Sequence, residues 1–124
     1  MQRVQIKNQT CPHAPLSAVY CVSFLCRLRG LTFRRSLPID QGLLLVQSRD
    51  SRMDSSIHML AVWMDLGVVW INQAGEVVDT CLARPWRPAY FPRKPARYVL
   101  EIHPERLQDF HIGDRIHFEE AQPR

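Results

Sequence analysis

Apolar positions along the chain cluster with two different periods, and the longest cluster organises the rest. It runs over residues 57–71, Ile-His-Met-Leu-Ala-Val-Trp-Met-Asp-Leu-Gly-Val-Val-Trp-Ile. It is shorter than the about 20 apolar residues that cross a bilayer, so it reads as strand, turn and strand buried in a soluble core. Its polar or turn-forming residues are His58, Asp65 and Gly67.

Residues 2–7 alternate, with Val4 and Ile6 on one side, which predicts a half-buried edge strand. Pro12 and Pro15 break the chain before a second strand over Ser17–Val22. From Ser23 the period changes. Phe24, Leu25, Leu28 and Leu31 share one face of a short helix that Ser23 caps and Gly30 helps to end. Gly42–Val46 is an apolar run of the kind buried on both faces, and the polar stretch Ser48–Ser56 reads as an exposed loop. Gly67–Asn72 and Glu76–Leu82 flank Gln73-Ala74-Gly75 and predict a hairpin. Four prolines, at 85, 88, 92 and 95, keep 84–97 extended and outside any central sheet position. Tyr98–Ile102 resumes as a strand, and Pro104–Phe110 fits one or two helical turns. Gly113-Asp114 then turns into a last strand, Arg115–Phe118.

These elements predict a mainly β (α+β) fold: a small, partly open antiparallel β-barrel with one or two short helices over its openings. With 124 residues, 46% of them hydrophobic, the chain is expected to form a single domain over 1–124, with an N-terminal strand and loop at 1–22 and a tail at 120–124. A charged fraction of 23% separates it from disordered sequences.

The net charge of +4 comes from arginine clusters at 27, 29, 34 and 35 and at 84, 87, 93 and 97, the second joined by Lys94. Acidic residues are interspersed elsewhere, so a solvated surface outweighs a nucleic-acid footprint. Cys11, Cys21, Cys26 and Cys81 include no C-x-x-C pair, which sets structural zinc aside. Cys21, Cys26 and Cys81 read as small apolar packers in a reducing compartment, with a disulfide to Cys11 as the alternative. Residues 14–26 follow a polar run and lack an Ala-x-Ala site before Arg27, unlike a signal peptide. The expected location is cytoplasmic, without a membrane segment or lipid anchor.

No phosphate-binding glycine loop, H-E-x-x-H or G-x-S-x-G motif is present. On a strand, His58 points opposite to Ile57 and Met59 and so need not be in the core; it reads as a hydrogen-bonded structural histidine or, second, as an acid-base or anion-binding group. Asp65, two residues before Gly67, fits a turn. Arg27 and Arg34 would share a helix face, while Arg84 and Arg87 bracket Trp86, a chemistry suited to stacking and bidentate anion contacts. The remaining histidines are scattered at 13, 103, 111 and 117; His103 and His117 fit neighbouring strands but lack a third ligand, so neither metal nor cofactor is expected.

Three function classes follow. The leading one is a non-enzymatic binding or accessory module for an anionic small molecule or peptide, held at a concave barrel end lined by Arg34, His58, Arg84, Trp86 and Arg87. The second is a small hydrolase or transferase using His58 with a carboxylate such as Asp65. The third is a nucleic-acid-binding protein acting through the arginine clusters. Residue types alone leave open whether the protein is an enzyme, and a protein partner fits as well as a small ligand.

Several stretches together resemble the bacterial and archaeal family called domain of unknown function 192. They are Ser23–Arg34, containing Arg27-x-x-Gly30-Leu31; Gly42–Leu45; Ile57-His58; Val68-Val69; Gly75-x-Val77-Val78; Arg84-Pro-Trp-Arg87; Leu100-Glu101; and Ile112-Gly113-Asp114. The specificity lies in their order rather than in any one of them. The resemblance implies a compact β-barrel-like domain and brings no established reaction. This chain departs from the family pattern at Asp65-Leu66-Gly67, where the family usually has Pro-Ile-Asp, and at Thr32, where a Met is common.

Overall fold

The computed structural model describes residues 2–22, 36–59 and 62–120. Seven strands form one sheet: β1 (Arg3–Asn8), β2 (Ser17–Cys21), β3 (Gln41–Ser51), β4 (Leu66–Ile71), β5 (Val77–Ala83), β6 (Ala96–Ile102) and β7 (Ile116–Glu120). Their order across the sheet is β5-β4-β6-β3-β2-β1-β7. A short 3-10 helix, Pro104–Asp109, follows β6, with Pro104 at its start as the fixed φ of proline favours. The helix expected after Ser23 lies outside the described residues.

The middle of the sheet is buried on both faces, as the unbroken apolar runs require. Alternate residues of β3, β4 and β6 enter two separate cores. Leu44, Val46, Val69, Ile71, Leu100 and Ile102 pack inside the curl with Val4 and Ile6 of β1, Ala18 of β2, Val77 of β5 and Ile116 of β7. Leu43, Leu45, Val68, Trp70 and Val99 face outward, where Leu37, Ile57, Met59 and Val62 cover them. The 3-10 helix contacts the inner core through Leu107, beside the buried Phe110.

The sheet curls but does not close. Its edge strands meet only at one corner, where Glu76 bridges Arg115. There Val77 N donates to Asp114 O at 2.9 Å, Gly113 N to Val77 O at 2.8 Å, and Ile116 N to Gly75 O at 2.7 Å. Gly75 has φ 85°, and a Cβ there would stand 2.9 Å from the carbonyl oxygen of Ile116. The hairpin turn and the corner contact therefore both need glycine.

Several expectations change in detail. β1 is not an edge strand, because β7 returns to pair along it from Val4↔Glu120 to Asn8↔Ile116. One pairing, β2 with β3, is parallel, made possible by the long connection between them. β3 runs on to Ser51, so the expected loop over Ser48–Ser56 is strand in its first part. Residues 48–50 are solvent-exposed while the ladder to β6 resumes at Ser51↔Ala96. Polarity there marked exposed residues at a register shift between Val46 and Ser51, not the end of the strand. Cys21 is buried as expected but takes part in a disulfide, whereas Cys11 and Cys81 are free, so the alternative pairing with Cys11 is not made.

One buried cation ties the N-terminal loop to the body. Arg106 is 6% exposed. Its guanidinium donates to Asp109 Oδ2 at 2.6 Å, to the carbonyls of Ala14 at 2.6 Å and Ile39 at 2.9 Å, and to that of Pro15 at 3.3 Å. A desolvated charge is tolerated only when its donors are satisfied in this way.

Candidate functional site

The apolar stretch 57–71 divides into two unlike halves. Leu66–Ile71 is β4, buried at every position. The first half is not its hairpin partner, because it pairs instead with the proline-rich segment. Ile57 and Tyr90 exchange hydrogen bonds at 3.0 and 2.9 Å, Met59 N donates to Arg87 O at 2.9 Å, and Trp86 N donates to Met59 O at 2.7 Å. Prolines barred 84–95 from the sheet but left enough free backbone groups to clamp a second extended segment. Trp70 Nε1 anchors the approach to this segment by donating to Ser55 O at 2.7 Å.

Alternation then sets the exposed side. Ile57 and Met59 are buried in the outward-facing core, and His58 between them is exposed. Trp86 has φ 65°, in the left-handed region that a bulky side chain rarely adopts. Its ring meets that of Trp63 edge-on, with centroids 5.3 Å apart and planes at 89°. The two indoles are 50% and 52% exposed, so the strained backbone presents aromatic surface to solvent instead of filling the core. Arg84 is held at both ends: its backbone N donates to Tyr90 Oη at 2.9 Å and its Nη1 to Asp65 Oδ2 at 3.0 Å.

Four of the five expected site residues, His58, Arg84, Trp86 and Arg87, thus lie on two segments bonded to each other. Arg34 lies outside the described residues. The segments cover the outer face of the sheet rather than an end of the curl, because Ile57, Met59, Val62 and Tyr90 pack against the outer core. Asp65 precedes β4 as a turn residue, but the Arg84 pair gives it a partner that the turn reading had not included. Asp65 lines a cleft of about 310 Å³ with Ser36, Leu37, Met64, His103 and Pro104. His103 Nδ1 accepts the backbone N–H of Glu105 at 3.1 Å, which leaves Nε2 as the protonated nitrogen of the neutral ring. His103 and His117 are not on adjacent strands, since β6 and β7 are separated by β3, β2 and β1. No group of three metal-ligating side chains occurs among the described residues.

Glu101 is the polar residue that composition and motif reading passed over. It is the next-to-last residue of β6, opposite Leu43 of β3 and Val68 of β4, and is only 4% exposed. Its Oε1 is buried without a hydrogen-bond partner, and burial pushes its pKa up to about 7. The available signal was a single acid within Tyr98–Ile102, on the same alternation as Val99 and so facing the outer core. Elsewhere, burial and the nearby Asp79 raise the Cys81 thiol to about 11, so it is not a thiolate nucleophile near neutral pH. Burial works to raise the carboxyl of Asp114, but bonds from Asn8 Nδ2 at 2.8 Å and His111 N at 2.9 Å outweigh it and hold the group below its ordinary value.

Gly67 stands where the family pattern has aspartate. A Cβ there would come within 3.2 Å of Ile102 Cγ1 and 3.3 Å of Leu107 Cβ, so this chain has closed the space that a side chain would need.

Comparison with known proteins places these features in a family context. The family model described as Uncharacterized ACR, COG1430 (DUF192) matches residues 4–118. A UPF0127 protein of Thermococcus gammatolerans is 33% identical over 104 residues, covering 82% of this chain and 66% of that protein. A UPF0127 protein of Pyrococcus furiosus is 34% identical over 96 residues, covering 76% of this chain and 79% of that protein. The chain therefore spans just under two thirds of the length of the Thermococcus gammatolerans relative. Among solved structures, one from Sinorhizobium meliloti 1021, described as a "putative transcription regulator", has a TM-score of 0.80 at 24% identity and covers 94% of this chain and 92% of its own. A protein of unknown function from Novosphingobium aromaticivorans has a TM-score of 0.79 at 18% identity, covering 93% and 83%. Both likenesses concern the fold. By the family model and by its relatives, the chain belongs to the DUF192 family.

Proposed function

We propose that the protein is a non-enzymatic binding module that holds an anionic small molecule or peptide on the outer face of its sheet, around Trp63 and Trp86. The observation that carries this reading is the left-handed backbone at Trp86, which costs free energy and holds a half-exposed indole against a second one. Arg87, Arg84 and His58 stand on the same two paired segments and supply the charge to orient a negative group beside an aromatic or apolar one. Arg34 is assigned to the same surface from the sequence.

The test is thermal stabilisation against a panel of aromatic carboxylates, nucleotides and acidic peptides. A hit should weaken about tenfold on Arg87→Ala, the loss of one charge-assisted contact, and disappear on Trp86→Ala. Hits that survive both changes would remove this surface as the binding site. Oligonucleotides belong in the same panel: binding that falls steeply with salt would favour the nucleic-acid alternative. Location is tied to Cys21, because a cytoplasmic protein would keep that residue reduced; counting free thiols in protein taken from its native compartment decides between a cytoplasmic and an oxidising site.

A further inference from the structure

We infer that the partner of the tryptophan surface is an extended acidic segment of another protein, one that carries an apolar side chain on each side of its acidic residues. The inference rests on the proposed anion surface and narrows its ligand to a peptide.

The surface has a second apolar end. Tyr90 packs on the outer core and Pro92 is buried, so Phe91 between them faces solvent and is 51% exposed. Met53, 72% exposed, stands at the same end. Ser56 N donates to Met53 O at 3.2 Å next to the bridge between Ile57 and Tyr90, and Arg52 Nε donates to Pro92 O at 2.9 Å. At the other end Trp86 N is bonded to Met59 O, and its indole meets that of Trp63. Ile57 to Met59 is two residues of chain and Phe91 lies one residue beyond the bridge, so the two apolar ends are about 10 Å apart at roughly 3.3 Å per residue. A single aromatic acid is too short to touch both.

Cations occupy the interval and its flanks. His58 faces solvent between the buried Ile57 and Met59, and Arg87, whose carbonyl accepts Met59 N, is exposed. Residues 84–97 contain Arg84, Arg87, Arg93, Lys94 and Arg97 and no aspartate or glutamate. Asp65 offsets Arg84 at 3.0 Å and Asp79 stands 4.0 Å from Arg93, whereas Arg87 makes no ion pair among the described residues. Exposed tryptophan, phenylalanine, methionine and arginine together are the residue types that protein interfaces enrich, and the excess positive charge complements an acidic partner. In a polyproline II chain, side chains three residues apart lie on one side and roughly 9 Å apart, which matches the interval and leaves two residues between them to meet the cations.

The experiment titrates the full chain with two capped tetrapeptides of one composition, acetyl-Phe-Glu-Glu-Phe-amide and acetyl-Phe-Phe-Glu-Glu-amide, and with phenylacetate, each followed by tryptophan emission. The first peptide should bind about tenfold more tightly than the second, and Phe91→Ala should bring it down to the affinity of the second. Phe91 is half-exposed, so its replacement leaves the core intact. Equal affinity of the two peptides, or a Phe91→Ala protein that holds the first as tightly as wild type, would overturn the inference. Phenylacetate binding that Trp86→Ala abolishes would in that case leave the anion surface standing, while failure of all three ligands would remove both readings. An oligothymidylate that displaces the first peptide and binds more tightly would overturn the inference in favour of nucleic acid.

Discussion

Replacing Glu101 by Gln removes a charge for which the folded chain has no partner, and the consequence depends on pH in a direction the structure sets. Burial raises this carboxyl from 4.5 to about 7. The native state therefore keeps the proton up to a higher pH than the unfolded chain does. Below about pH 4.5 both states are protonated, and Glu101 costs nothing as an ion. As pH rises toward 7 the unfolded chain ionises first, so stability falls, and above about pH 7 the loss is complete. The shift corresponds to about 3 kcal/mol, a large part of the total stability of a small domain. Urea unfolding of the two proteins at pH 4 and pH 8 isolates this contribution, because every other titrating group is common to both. Relative to wild type, the glutamine variant should gain about 3 kcal/mol between the two conditions and be the more stable protein at pH 8. A difference that does not change with pH would refute the reasoning. A variant less stable than wild type at pH 8 would mean that the carboxylate is satisfied in solution by a partner the fold provides.

Three further outcomes follow from buried groups. Arg106→Ala should destabilise by about 3–5 kcal/mol in urea unfolding, because Asp109 and the Ala14 and Ile39 carbonyls lose their donor together, and amide exchange around residues 12–16 should accelerate. Asp114→Ala should cost about 2 kcal/mol at pH 7 through the bonds to Asn8 and His111. Since the folded value lies below the unfolded 3.8, that cost should be present above pH 3.8 and shrink as pH falls through the lower native value. Gly67→Ala should cost about 1–3 kcal/mol by overpacking Ile102 and Leu107, a loss that thermal unfolding will register; an unchanged midpoint would mean that the 3-10 helix shifts freely.

Local chemistry made much of the architecture legible. Period-two alternation located β1, the apolar runs located β3, β4 and β6, and Gly75 marked the hairpin turn. These signals survive because each depends on residues only a few positions apart. Pairing partners were not legible. Whether β1 is an edge depends on a strand more than a hundred residues later, and a polar, exposed stretch such as 48–50 can still belong to a strand.

The candidate site divides along the same line. His58, Arg84, Trp86 and Arg87 stand out as candidates by residue type, because exposed cations and an aromatic between prolines have few core roles. Their common surface needed the pairing of 57–59 with 86–90, and the left-handed Trp86 is visible only in the backbone. Asp65 and His103 are 38 positions apart in the chain and share a cleft only because β4 and β6 are neighbours, while Glu101 looked like one acid in an ordinary strand. The sequence by itself determined the mainly β class, most of the strands among the described residues and the family. Tertiary structure decided which polar groups are deprived of water and what stands beside them, because desolvation is a property of packing between distant segments and has no local signature.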